Sequence, residues 1–77
     1  MITPIKVKNI KDIESINRIV CRYDFDIWIH GKSGMVDAKS ILGLYVLGLD
    51  ESLSLVVPDN VNSVPLFKDL AEYLIIG

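Results

Sequence analysis

Hydrophobic residues recur along this chain at two spacings, and each spacing predicts a different element. In residues 2–8, Ile5 and Val7 alternate with lysines, which predicts a strand with one buried face over this range. Pro4 predicts an edge strand, because proline has no amide hydrogen to donate to a second neighbour. A helical period then predicts an amphipathic helix from residue 10 onward; its apolar positions are Ile10, Ile13, Ile16, Ile19, Val20 and Tyr23.

The residues around position 10 predict where this helix begins. Asn9 has a side-chain oxygen that can accept a hydrogen bond from an amide of the first turn, so it is the predicted N-cap. Asp12, three residues later, places a carboxylate at the positive end of the helix dipole. Both features therefore favour a helix that starts at residue 10.

The strand period returns in residues 25–30, where Phe25, Ile27 and Ile29 predict the buried side of a second strand. The segment 31–34 contains two glycines and predicts a turn, and residues 35–37 predict a third strand. These two strands are expected to form a hairpin. A turn at residues 50–51 precedes a fourth strand predicted over 53–57, which Pro58 ends.

Two further helices are predicted from their ends. Ser40 is the predicted N-cap of a short helix that stops at Gly48. The last helix is predicted from about residue 64 to residue 74, capped by Asn62 or Ser63, with Pro65 in its first turn. Its predicted buried side consists of Leu66, Phe67, Leu70, Tyr73 and Leu74.

The predicted elements follow the order β-α-β-β-α-β-α. Helices that cover one face of a sheet give an α+β fold, here an open-faced β-sandwich of a four-stranded antiparallel sheet and three helices. We expect residues 1–77 to form one domain, because a chain of 77 residues is too short to divide its core.

Composition and charge narrow the classes of function. The chain is 51% hydrophobic and 23% charged, which is typical of a globular protein. Its net charge is −2 and its basic residues are scattered, whereas nucleic-acid binding requires them clustered on one face. The single cysteine, Cys21, cannot form an internal disulfide. Without a start resembling a signal peptide or an apolar run long enough to span a bilayer, we expect a cytoplasmic protein that does not insert into membranes.

Two blocks of residues carry a resemblance to a known family. Residues 39–43 read Lys-Ser-Ile-Leu-Gly, and Leu47-Gly48 follow at the predicted helix end. Residues 23–27 read Tyr-Asp-Phe-Asp-Ile, and the spacing between the two blocks needs no gap. They resemble the HPr phosphocarrier family of the bacterial phosphoenolpyruvate:sugar phosphotransferase system. In element order the resemblance covers nearly the whole chain, although the final helix matches by pattern only, and it implies an HPr-like fold.

The chain departs from that family at the start of the first helix. The family carries its phosphoryl group on a histidine that is followed by a small residue, an arginine and a proline. Asn9 stands in the place of the histidine, Lys11 of the arginine and Asp12 of the proline. A carboxamide nitrogen has no free lone pair to bond phosphorus, whereas an imidazole nitrogen does. We therefore expect no catalytic residue, no enzymatic activity and no cofactor, and interpret the chain as a regulatory or adaptor protein.

The resemblance also implies which residues would meet a protein partner. Ile41, Leu42 and Tyr45 occupy positions where the family presents an apolar surface, and helical spacing places them on one face. Lys11 and Arg18 on the first helix could attract an acidic partner. The implied partners are phosphotransferase-system enzymes or an HPr-binding regulator or kinase.

Ser40 and His30 each leave two interpretations open. Ser40 serves as a helix cap, and the resemblance implies that it is also the serine that a dedicated kinase phosphorylates in many members of the family. His30, the only histidine, predicts a strand-end residue, or alternatively the phosphate carrier of an active protein. One histidine with no Cys/His spacing predicts no metal site. A scaffold module that borrows the fold is the third alternative.

Overall fold

The computed structural model describes residues 1–47 and 52–75. Within these ranges the strands and helices follow the order predicted from the sequence, β-α-β-β-α-β-α. The elements are β1 (Ile2–Ile5), α1 (Ile10–Val20), β2 (Trp28–Gly31), β3 (Gly34–Asp37), α2 (Ile41–Leu47), β4 (Leu53–Val56) and α3 (Val64–Asp69), and a short 3-10 helix (Ala71–Tyr73) follows α3. The predicted helix stop at Gly48 and the predicted turn at residues 50–51 lie outside the described residues.

The four strands form one antiparallel sheet in the order β1-β4-β2-β3. The hairpin of β2 and β3 is present, with Gly31 opposite Gly34 at its turn. Gly34 has φ +142°, a conformation that side chains disfavour, so a glycine is needed there. Strand β1 is at one edge, as Pro4 predicted. The chain covers this edge with its own later segment, because the amide of Lys6 donates to the carbonyl of Tyr73 at 2.7 Å and that of Ile75 to the carbonyl of Pro4 at 3.1 Å.

The three helices pack on one face of the sheet and enclose one hydrophobic core among the described residues. Alternate strand residues such as Ile29 and Leu55 point into this core and are buried. From the helices, Ile16 and Leu66 are fully buried. The other face of the sheet carries no helix in the described ranges, so the molecule is the open-faced α+β sandwich predicted from the sequence.

Helix α1 starts at residue 10, as predicted, and two side chains form hydrogen bonds at its start. The Asn9 side-chain oxygen accepts a hydrogen bond from the Asp12 amide at 3.0 Å. The Asp12 carboxylate in turn accepts one from the Lys8 amide at 2.9 Å. The first bond caps the first turn of the helix, and the second holds the residue that precedes the cap.

Several predicted boundaries differ from the structure for reasons of packing. Strand β1 ends at Ile5 and β2 begins only at Trp28, although Ile27 is buried and its carbonyl still accepts from the Ala38 amide at 2.9 Å. The predicted last helix is wrong beyond Asp69. The chain turns there through the 3-10 helix so that Leu74 can pair with Ile5 at the sheet edge.

None of the described helices is long and apolar enough to cross a lipid bilayer.

Candidate functional site

The start of α1 holds Asn9 at the position where the resemblance places the phosphate-accepting histidine. Asn9 is extended (φ −156°, ψ 177°), which lets its side chain fold back onto the first turn as a cap. Its oxygen and the Asp12 carboxylate are both engaged in the hydrogen bonds of the cap. The groups at this helix start therefore hold the backbone, and the nearest carboxylate adds negative charge where a phosphoryl group would need positive charge.

Helix α2 begins with the predicted cap. The Ser40 Oγ accepts a hydrogen bond from the Gly43 amide at 3.2 Å, and the residue is exposed. A Cβ at Gly43 would lie 3.4 Å from both Ser40 Oγ and Val36 Cβ, so the glycine lets α2 pack closely on the end of β3. The Ser40 hydroxyl thus has a structural role and is open to solvent.

The side chains of α2 divide between the core and the surface. Leu44 and Leu47 are buried. Leu42 is 72% exposed and Tyr45 is also exposed, whereas Ile41 is half-buried and packs against the core. Because part of its side chain packs against the core, Ile41 is less available to a partner than its position in the sequence suggests.

The structure adds Val46 to the exposed apolar side chains of α2. Val46 is 84% exposed and lies one turn after Leu42. The sequence analysis missed it; the i, i+4 spacing from Leu42 is the signal that could have found it.

Helix α1 contacts the exposed side of α2 through Glu14. The Tyr45 hydroxyl donates a hydrogen bond to the Glu14 carboxylate at 3.0 Å. This hydrogen bond, with smaller contributions from desolvation and from the carboxylate charge, raises the pKa of Tyr45, because each disfavours the phenolate. Glu14 was also missed by the sequence analysis, since nothing in the chain pattern pairs it with a residue 31 positions away.

Two cations flank Glu14 on α1. Lys11 and Arg18 lie three residues before it and four residues after it, on neighbouring positions of the helix surface. Both are exposed, and neither forms an ion pair within the part of the chain that the structure describes. The structure therefore brings together six residues, which we call the α1–α2 surface: Lys11, Glu14, Arg18, Leu42, Tyr45 and Val46.

His30 lies elsewhere. It is exposed on β2, and its cross-strand neighbours are Met35 and Ser54. Because Ile29 points toward the helices, His30 points to the opposite, uncovered face of the sheet. His30 and Asn9 are therefore on different sides of the molecule, and within residues 1–47 and 52–75 no carboxylate forms an ion pair with the imidazole.

Residues 1–47 and 52–75 form no pocket for a small molecule. Within the same ranges, no three side chains of the kinds that bind metals lie close enough together to hold an ion.

Comparisons with protein-family models, with curated proteins and with solved structures gave no match.

Proposed function

We propose that this chain is an HPr-like regulatory or adaptor protein of the sugar phosphotransferase system. It docks through the α1–α2 surface onto a phosphotransferase-system enzyme or an HPr-binding regulator or kinase. It does not carry a phosphoryl group on Asn9. The two sequence blocks that resemble the HPr family support this proposal, and the fold has the element order that the resemblance implies.

The observation that carries the proposal is the exposure of Leu42 and Val46. Their side chains are 72% and 84% exposed on a helix whose Leu44 and Leu47 already supply the core. Neighbouring exposed apolar side chains with polar residues around them are typical of a protein-binding surface. The exposed positive charges of Lys11 and Arg18 favour a partner whose contact region carries carboxylates.

The start of α1 supports the second part of the proposal. Asn9 presents an amide that already caps the helix, and Asp12 is held beside it by its bond to the Lys8 amide. A phosphoryl group on this site would have no nucleophilic nitrogen to bond and would lie beside a fixed carboxylate. A protein that keeps the docking surface but cannot accept a phosphoryl group is suited to bind the same partner as a phosphate carrier without transferring phosphate.

Ser40 gives the proposed adaptor a point of regulation. Its hydroxyl is exposed and lies two residues before Leu42. Phosphorylation would add about two negative charges at the border of the α1–α2 surface, where they would change its attraction for an acidic partner.

The test measures, by calorimetry, the binding of this chain to the purified general enzyme of the phosphotransferase system. The variant Leu42→Ala is compared with the unaltered chain. Met35→Ala is the control, because Met35 is also exposed and lies on the uncovered face of the sheet. We expect Leu42→Ala to weaken binding about tenfold and Met35→Ala to leave it unchanged. Absence of binding by the unaltered chain would contradict the proposal.

A second arm of the same experiment addresses phosphate transfer. The chain is incubated with the general enzyme and labelled phosphoenolpyruvate, and the expected result is no label on the chain. Acid-labile label that is lost in His30→Ala would instead establish an active carrier that uses the uncovered face of the sheet.

A further inference from the structure

The uncovered face of the sheet carries a row of apolar side chains. Because successive residues of a strand point to opposite faces, the residues between the buried ones point away from the helices. Ile2 on β1 lies opposite Val56 on β4, which in turn lies opposite Trp28 on β2. Ile2 is 67% exposed, Val56 and Trp28 are half-buried, and no helix in the described ranges covers them. Three neighbouring strands therefore present one continuous apolar row.

A second, more polar row lies beside the first on the same face. His30 on β2 lies opposite Ser54 on β4 and Met35 on β3. Met35 is 54% exposed, and His30 is exposed as well. Ile29, which separates this row from Trp28 along β2, is buried on the helix side. The face therefore consists of an apolar row and a mixed row on either side of the level of Ile29.

The charges of this face are separated toward its two ends. Asp26 lies just before β2, and Lys32 lies in the turn that follows β2. Both are exposed, and neither forms an ion pair with another described residue. Extended backbone over this length places them about 20 Å apart, too far to pair within one molecule. Asp37 lies at the same end as Asp26, and Lys6 follows β1 at the end of Lys32, so one end is negative and the other positive.

A second copy of the chain matches this face when the two are related by a two-fold axis that crosses the strands at Ile29. This axis relates positions at equal distances on either side of Ile29. Trp28 then meets the partner's His30, and Lys32 meets the partner's Asp26. Each contact occurs twice in such an interface, so the face is complementary to itself. A partner with one sign of charge would be repelled at one end, and the arrangement therefore favours a second copy.

We propose that the uncovered face of the sheet binds a second copy of this chain, with the strands of the two sheets running in opposite directions. The face measures about 19 Å by about 13 Å, which is small beside the roughly 800 Å² that each partner buries in a stable complex. The dimer is therefore reversible. It leaves both α1–α2 surfaces free, because the helices lie on the other side of the sheet, and it does not depend on the proposed function.

The test is sedimentation equilibrium of the unaltered chain from about 10 μM to about 1 mM, the range in which a weak contact dissociates. Trp28 is the only tryptophan, so its fluorescence reports whether this face becomes buried as the concentration rises. The variants are Lys32→Asp, Asp26→Lys and the double variant that carries both changes. Lys68→Asp, which makes the same charge change at an exposed position of α3, is the control. Circular dichroism establishes that each variant is folded.

The expected result is a dimer that each single charge reversal weakens about tenfold, because two pairs per dimer become repulsive. The double variant should regain the affinity of the unaltered chain, since the pairs are restored with their signs exchanged, and Lys68→Asp should change nothing. A chain that stays monomeric throughout, or a double variant as weak as the single ones, would overturn the proposal. Association that is lost in Leu42→Ala and kept in Lys32→Asp would place the contact on the α1–α2 surface and overturn it as well.

Discussion

The hydroxyl of Tyr45 on α2 donates a 3.0 Å hydrogen bond to the carboxylate of Glu14 on α1. The bond joins the two helices, and two hydrogen bonds from Asn17 and Cys21 to the carbonyls of Ala38 and Lys39 hold the segment before α2 against α1. It also fixes the Tyr45 ring beside the exposed Leu42 and Val46. The hydrogen bond therefore holds the Tyr45 side chain in place within the surface that we propose for docking. Titration of the Tyr45 phenol can test whether the bond is present.

The Tyr45 phenol is expected to titrate above pH 10.0, because its hydrogen bond to Glu14, its partial desolvation and the carboxylate charge all raise its pKa. A raised folded pKa means that the neutral phenol is favoured in the folded state. The stabilisation is therefore complete below the unfolded pKa and is lost as pH rises through the folded pKa. Glu14→Ala should return the titration of Tyr45 toward 10.0, as followed by the NMR signals of its ring.

Tyr23 is the internal control for that titration. Its pKa is also raised, chiefly by its hydrogen bond to Asp69, which does not involve Glu14. Glu14→Ala should leave the titration of Tyr23 as it was. A Tyr45 titration that does not respond to this substitution would show that the hydrogen bond is absent in solution.

Asn9→Ala is expected to lower the free energy of unfolding by about 1 kcal/mol, because the Asp12 amide loses its side-chain acceptor and keeps only the longer bond to the carbonyl of residue 9. Asn9→Gly should lower the free energy of unfolding by only a few tenths of a kcal/mol, since glycine leaves the Asp12 amide accessible to water. Urea unfolding measures both. Asn60→Ala, at an exposed turn position, is the control and should change little.

Ser40→Ala is expected to cost about 1 kcal/mol of stability for the same reason at α2, where the Gly43 amide loses its acceptor. Ser40→Asp should recover most of that loss, because a carboxylate also caps a helix.

If the serine is regulatory, a purified HPr kinase should label the unaltered chain and leave Ser40→Ala unlabelled. Label that persists in Ser40→Ala would place the modification elsewhere.

Leu66→Ala and Leu42→Ala should separate stability from docking. Leu66 is fully buried, so its truncation leaves a cavity and should cost about 2 to 5 kcal/mol. Leu42 is largely exposed, and its truncation should change the free energy of unfolding by less than about 0.5 kcal/mol. Denaturant titration of the two variants checks this difference, and a large loss in Leu42→Ala would indicate that Leu42 belongs to the core.

The double substitution Lys11→Ala and Arg18→Ala should slow association with an acidic partner and make the association rate less dependent on ionic strength. Both cations are exposed, and neither forms an ion pair with another described residue. Stopped-flow mixing with the general enzyme at several salt concentrations measures the effect. Lys32→Ala, in the turn between β2 and β3, is the control for the loss of a positive charge. An association rate that responds equally to Lys32→Ala would contradict a local role for α1.

The sequence by itself determined the order of elements, the cap at Asn9, the cap at Ser40 and the edge position of β1. These depend on local chemistry: a side-chain acceptor three residues before an amide, or a proline without a hydrogen to donate. Alternation also identified Ile27 and Ile29 as buried, because the two sides of a strand are fixed by the backbone.

The tertiary structure alone decided which apolar residues remain outside. Ile10 and Val46 have the spacing of core residues or their neighbours, yet each lies on a helix face that no other described element covers. Their exposure, the pairing of Glu14 with Tyr45 and the turn of the chain after Asp69 all depend on how distant segments meet. A periodic pattern reports which side of a helix is apolar; packing determines how much of that side is removed from water.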